Sequence, residues 1–186
     1  HSSEEIIEAA ADIVNQLLGA EDGQFEFLME NQWWPGFTFT DPEQTARLLE
    51  AVRYPRKGIM LDTGHLMNAN PDLTTQAEGA AYIHRMLDEH GGLCRYIRGV
   101  HLHQSLSGAY VKAHTGSVPE DFPADYTEQF YYSYRHILQI DRHEPWTDSA
   151  VTELAARIAP QYLTHELTSQ GRVNRYQAVK KQRGLL

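Results

Sequence analysis

The chain has 186 residues, a formal charge of −9, 41% hydrophobic and 22% charged residues, a composition that suits one globular domain with a sizeable core and excludes a disordered chain. The acidic balance argues against an extended nucleic-acid footprint, and no apolar run approaches the roughly 20 residues of a membrane span. Cys94 is alone, which excludes an internal disulfide framework and fits a reducing cytoplasm.

Residues 2–19 begin with a capping box, Ser2 and Glu5. They continue with Ile6, Ala10, Ile13, Val14, Leu17 and Leu18 at helical spacing and reach Gly19, predicting a helix with that apolar stripe. A short apolar strand follows and ends at Glu30. Asp41, Pro42 and Gln44 mark the start of a second helix, with Thr45, Leu48, Leu49 and Val52 as its stripe. Residues 57–64 read as a second strand, 73–92 as a helix stopped by Gly91 and Gly92, and 96–103 as a third strand. Gln104 to Trp146 reads as a long loop with one helix within 126–138. A further helix carries Val151, Leu154, Ala155 and Ile158 on one face. Residues 161–167 form the last strand, and the basic tail is helical. No internal repeat and no Gly-rich nucleotide fingerprint occurs. Strands separated by helices require crossover connections, hence an α/β fold with a parallel sheet.

Every strand delivers an ionisable residue to its carboxyl end: Glu30, then Asp62 with His65, then His101 and His103, then His165 and Glu166. In a parallel sheet these ends lie on one side, and in a β/α barrel they ring one mouth, where active sites sit. Side chains two apart share a face of a strand. His101 and His103 therefore point the same way, while Glu166 and His165 point opposite ways. Glu166 is the better ligand candidate, and His165 packs between strand and helix. Three carboxylates and an imidazole suit a divalent ion, with Mn²⁺, Zn²⁺, Co²⁺ and Mg²⁺ all admissible.

The segments "LMEN", "LDTGH", "GVHLH" and "THEL" resemble, in order and position, the strand ends of the xylose isomerase-like TIM barrels, the superfamily of sugar-phosphate isomerases/epimerases and of endonuclease IV (AP endonuclease family 2). The resemblance covers Phe25 to Leu167. It implies a (β/α)8 barrel, of which residues 1–186 supply a single domain made of the C-terminal four or so β/α units, the first strands being absent. It implies metal ligands at Glu30, Asp62, His101 and Glu166, with His65 as a substrate contact or a ligand of another ion. His103 competes with His101, and the family's usual His followed three residues later by Asp has Gln104 here. "IDRHEPW" is similar to the segment with which endonuclease IV binds an additional zinc, which makes Asp141 and His143, with His103, candidates for a further metal. The chain departs from the nuclease pattern after His143, continuing Glu144-Pro145-Trp146.

The resemblance thus implies a divalent-metal-dependent sugar or sugar-phosphate isomerase/epimerase. Glu30 and Glu166 would transfer the proton through a metal-bound enediolate, and Trp33 and Trp34 would wall the sugar ring. Two rival readings are an endonuclease IV-like phosphodiesterase on abasic DNA and a truncated barrel serving as a non-catalytic module. The expected partner is a small sugar or sugar phosphate rather than nucleic acid or membrane. Open barrel edges would be covered by association of copies.

Overall fold

The computed structural model describes residues 1–21, 23–169 and 171–186. Four strands, β1 (Phe27–Glu30), β2 (Lys57–Asp62), β3 (Ile97–His101) and β4 (Tyr162–Thr164), form one sheet in the order β1-β2-β3-β4, and every pair is parallel. The helices are α1 (Ser3–Leu18), α2 (Pro42–Ala51), α3 (Thr63–Asn68), α4 (Gln76–His90), α5 (Gly108–His114), α6 (Tyr126–Ile140), α7 (Ala150–Ile158) and α8 (Arg172–Arg183). Among the described residues, none of them is long and apolar enough to cross a membrane.

Strand alternation sets the layers. Ile59, Leu61, Val100 and Leu102 are buried on the outer face, in one core with Leu48 and Leu49 of α2, Ile83 and Leu87 of α4, and Val151 and Leu154 of α7. The opposite face carries Leu28, Met60 and Gly99. A Cβ at Gly99 would lie 2.6 Å from the Met60 sulfur, so the glycine leaves room for that side chain. Asp62 and His101 continue this inner face at the carboxyl ends, as adjacent partners in the β2–β3 register.

Both caps read from the sequence form. Ser2 and Glu5 make a reciprocal capping box, and Asp41 accepts from the backbone N–H of Glu43 and Gln44. The buried face of α1 differs from the expected stripe. Ile7, Ala11 and Asn15 are buried, whereas Ile13 and Leu17 are 58% and 73% exposed. The cause is polar. The Asn15 side chain donates to the Ala51 carbonyl at 2.9 Å and accepts from the Arg53 N–H at 2.7 Å, turning that face onto α2. Three further differences follow from short-range geometry. The chain forms the brief helix α3 directly after β2. Two helices, α5 and α6, occupy the long loop. β3 and β4 stop at His101 and Thr164, so His103 and Glu166 stand beyond the ladder.

Candidate metal centre

Each strand end places one side chain at the same mouth. Glu30 is the last residue of β1, Asp62 of β2 and His101 of β3, and Glu166 follows β4 by two residues. Asp62 is fully buried and also caps α3, accepting from the His65 N–H at 2.7 Å. That cap folds the chain back so that His65 returns over Asp62. Asn31, fully buried, fixes the junction: its side chain accepts from the Asp62 N–H (2.8 Å) and donates to the Asp62 carbonyl (3.1 Å). Its own carbonyl accepts from His65 Nδ1 at 2.8 Å. The glycine of "LDTGH" has a steric reason, since a Cβ at Gly64 would lie 2.0 Å from the His103 ring.

His101 Nδ1 lies 2.7 Å from Glu166 Oε2, 3.4 Å from Glu30 Oε1 and 3.7 Å from Asp62 Oδ2. One donor atom from each of Glu30, Asp62, His101 and Glu166 can be chosen so that all four lie within 4.8 Å of one another. Ligands about 2.0–2.3 Å from a common ion stand at most roughly 4.6 Å apart, so the four groups need to close in by no more than a few tenths of an ångström to share one ion. His103 is placed differently. Its Nε2 meets both Asp62 oxygens, at 2.9 and 3.0 Å, and it is fully buried. It steadies Asp62 from behind, itself fixed by Thr63 Oγ1, which accepts from its N–H, and by Trp146 Nε1, which donates to its carbonyl. Asp62, His65 and His103 also satisfy a three-ligand spacing, as do His103, His143 and Glu166.

A second focus lies beside the first. Asp141 Oδ2 is 3.3 Å from His65 Nε2 and 3.3 Å from His143 Nε2, and His143 Nε2 is 3.4 Å from Glu166 Oε1. The His65 ring is oriented by Asn31, which leaves its Nε2 aimed at Asp141. His143 adopts a left-handed backbone conformation (φ 49°) and stacks on His103 with ring centroids 4.4 Å apart.

The electrostatics are those of a compact charge cluster. The carboxylates of Asp62, Glu166 and Glu30 push His101 up to about 11. Burial opposes protonation of His65, but Asp141 and Asp62 outweigh it and raise it to about 9. Glu166 raises His143. Burial opposes ionisation of Asp62, but His101 and His103 outweigh it and hold its carboxyl below the usual range. His101 and His143 hold Glu166 low in the same way. His101 Nδ1, Glu166 Oε2, Asp141 Oδ1 and His143 Nδ1 are buried without an aligned hydrogen-bond partner. Buried polar atoms are normally satisfied. The orphaned His101 Nδ1 and Glu166 Oε2, beside the oxygens of Glu30 and Asp62 in a set rich in oxygen and imidazole, fit a divalent cation.

A family model described as "Xylose isomerase-like TIM barrel" matches residues 1–165. The chain belongs to the xylose isomerase-like TIM barrel family. No curated protein and no solved structure matches the chain. Four parallel β/α units with their functional side chains at the carboxyl ends are consistent with part of such a barrel, and the family often binds divalent metals.

The structure brings Glu30, Asp62, His65, His101, His103, Asp141, His143 and Glu166 together. Trp33 joins them, its ring 4.6 Å from that of His65. Trp34 meets Trp33 edge-on at 4.5 Å and is half exposed, lining an apolar cavity of about 180 Å³ with Ile6 and Ala10 of α1. His165 turns away, with Gln182 of α8 donating to its Nδ1 at 2.8 Å. Sequence reasoning gave no role to Asn31, Trp146 or Gln182. Asn31 stood inside the quoted "LMEN". For the other two no local signal existed, because their partners are 17 or more residues away along the chain.

Proposed function

We propose that the chain is the metal-binding part of a sugar or sugar-phosphate isomerase or epimerase. The reading rests on the unequal exposure of the four clustered groups. The Asp62 side chain is wholly buried, whereas those of Glu30 and Glu166 are 31% and 38% exposed and come from the two outer strands of the sheet. Asp62 and His101 are suited to hold an ion. Glu30 and Glu166 would hold it too, while remaining open to a substrate between them. A divalent ion there, Mn²⁺, Co²⁺, Zn²⁺ or Mg²⁺, would polarise a carbonyl oxygen.

In this reading Glu166, ionised at neutral pH, takes the proton from the carbon beside the substrate carbonyl, Glu30 hands the neighbouring carbon a proton that it has taken up from water, and Glu166 then releases its proton to water. The Trp33 ring packs against the apolar edge of the sugar, with Trp34 extending that wall. His65 and His143, with Asp141, hold the second focus. Four strands are half of an eight-stranded ring, and we place residues 1–186 as its C-terminal part.

The second focus favours one rival, a metal-assisted phosphodiesterase, since such enzymes use ions a few ångströms apart. The net charge of −9 and the approach of Arg142 to Glu144 (3.8 Å) speak against a DNA-binding groove. Solvent deuterium exchange into a panel of ketoses and ketose phosphates, with added Mn²⁺, Co²⁺ or Mg²⁺, tests the proposal. Deuterium beside the carbonyl, lost in Glu166→Gln, is the expected result. Absence of exchange with cleavage of an abasic-site duplex would favour the phosphodiesterase. Absence of both would favour a binding module.

A further inference from the structure

Helix α6 is inside out. Its packed side uses Gln129, which donates to the Pro123 carbonyl, Tyr132, whose ring meets Phe122, His136, hydrogen-bonded to the Tyr110 hydroxyl at 2.9 Å, and the buried Ile140. Its outer side carries Tyr126, Phe130, Tyr131, Tyr134, Ile137 and Leu138, exposed by 80, 59, 58, 50, 42 and 38%. At 100° per residue these six fall within one arc of about 140°, and Phe130 and Tyr134 stack parallel within it. A surface helix ordinarily presents its polar face outward.

Aromatic side chains bury roughly 150–250 Å² each. The exposed fractions therefore add up to roughly 600 Å² per copy, at the top of what a monomer usually leaves open. Doubled, this is roughly 1,200 Å², the lower bound of a specific interface.

The charges at the border of the arc say what covers it. Glu128 and Arg135 sit seven residues apart on the same edge of the arc, and neither forms an ion pair among the described residues. If α6 crosses a second α6 antiparallel about a two-fold axis near Tyr131 and Tyr132, Glu128 faces Arg135 of the second copy, and the pair recurs on the other side of the axis. Phe130 and Tyr134 meet their counterparts near the centre, and the helix dipoles oppose. We propose that α6 is a self-complementary dimer interface whose occupant is a second copy of this chain. The Asp141 that ends α6 belongs to the second focus, so dimerisation would anchor the helix that delivers it.

The test is the mass of the 186-residue chain by analytical ultracentrifugation over a micromolar range. A dimer is expected. Phe130→Glu with Tyr134→Glu should give a monomer with unchanged far-UV circular dichroism, since both side chains are exposed. Glu128→Arg or Arg135→Glu alone should weaken dimerisation by about tenfold, and the double reversal should restore it. A chain that is monomeric throughout overturns the proposal, leaving the face to another protein or to another part of a longer polypeptide. So does a dimer indifferent to α6 and lost on Leu163→Lys in β4, which would show association through the sheet edge.

Discussion

The strand ends around Asp62 and the excursion from Gln104 to Trp146 bring ligand-type side chains to one place by different means. At the strand ends the parallel ladder fixes position: Asp62 and His101 are register partners, and Asn31 clamps the backbone of Asp62 from both sides. The excursion is held chiefly at its base. Gln104 and Glu144 exchange backbone hydrogen bonds, Arg142 N–H donates to Ser105 Oγ, and Trp146 is buried beneath. Between these pinches α5 and α6 form a lobe whose outer face is apolar. A ligand on a strand is positioned by the core. One on the excursion is positioned by a few hydrogen bonds and by whatever covers the lobe.

Removing the group that joins strand end to cluster should have the largest effect. Asp62→Ala strips buried imidazoles of their counter-charge and α3 of its cap. It is expected to cost about 3–5 kcal/mol in urea unfolding of the metal-free protein and to abolish binding at the four-residue focus. Gly64→Ala probes the same region sterically, because the new Cβ meets the His103 ring. A loss of about 1–3 kcal/mol is expected, with weaker metal binding. A neutral result would show that His103 moves freely.

Asp141→Asn addresses the excursion. Calorimetric titration with Zn²⁺ should show two ions in the parent and one in the variant, with unfolding of the metal-free protein costing about 1–3 kcal/mol less as buried His65 loses its carboxylate partner. Equal loss of both ions would erase the distinction between the regions. At the lobe, Tyr131→Ser should shift the stability of the monomer by no more than about 0.5 kcal/mol.

The pH dependence distinguishes the metal-free from the loaded site. The folded pKa values of His101 and His65, about 11 and about 9, lie above the ordinary 6.5. Their stabilising protonation is complete below pH 6.5 and is lost as the pH rises through 9 and 11. Asp62 and Glu166 are lowered, so their contribution is present above the ordinary carboxylate range and is lost on acidification. An ion must displace the imidazole protons, so affinity should rise between pH 6 and 8 by about tenfold per unit for each proton released. Calorimetry in buffers of different ionisation enthalpy reads that number directly.

The same contrast explains what the sequence made legible. The four strands and the clustering of Glu30, Asp62, His101 and Glu166 were readable because a parallel ladder turns a local pattern into a fixed position. The separate placement of His103 was not, because strand alternation puts His101 and His103 on one face, whereas β3 stops at His101 and Gly64, Thr63 and Trp146 set His103 apart, by leaving room for its ring, accepting from its N–H and holding its carbonyl. The buried face of α1 was missed because Asn15 is buried through backbone partners 36 and 38 residues away, which hydrophobic periodicity cannot register. In the lobe the helix within 126–138 was readable and forms as α6, whereas α5 was missed because Gly108–His114 is two turns long and has no side-chain cap to mark its start.

Anomalous diffraction from crystals soaked in Mn²⁺ or Zn²⁺ tests the central claim most directly. The expected result is a peak about 2.0–2.3 Å from Glu30, Asp62, His101 and Glu166, with a second peak among His65, Asp141 and His143. Saturating metal that leaves no peak among the four strand-end groups, with His101 instead hydrogen-bonded to Glu166, would contradict it.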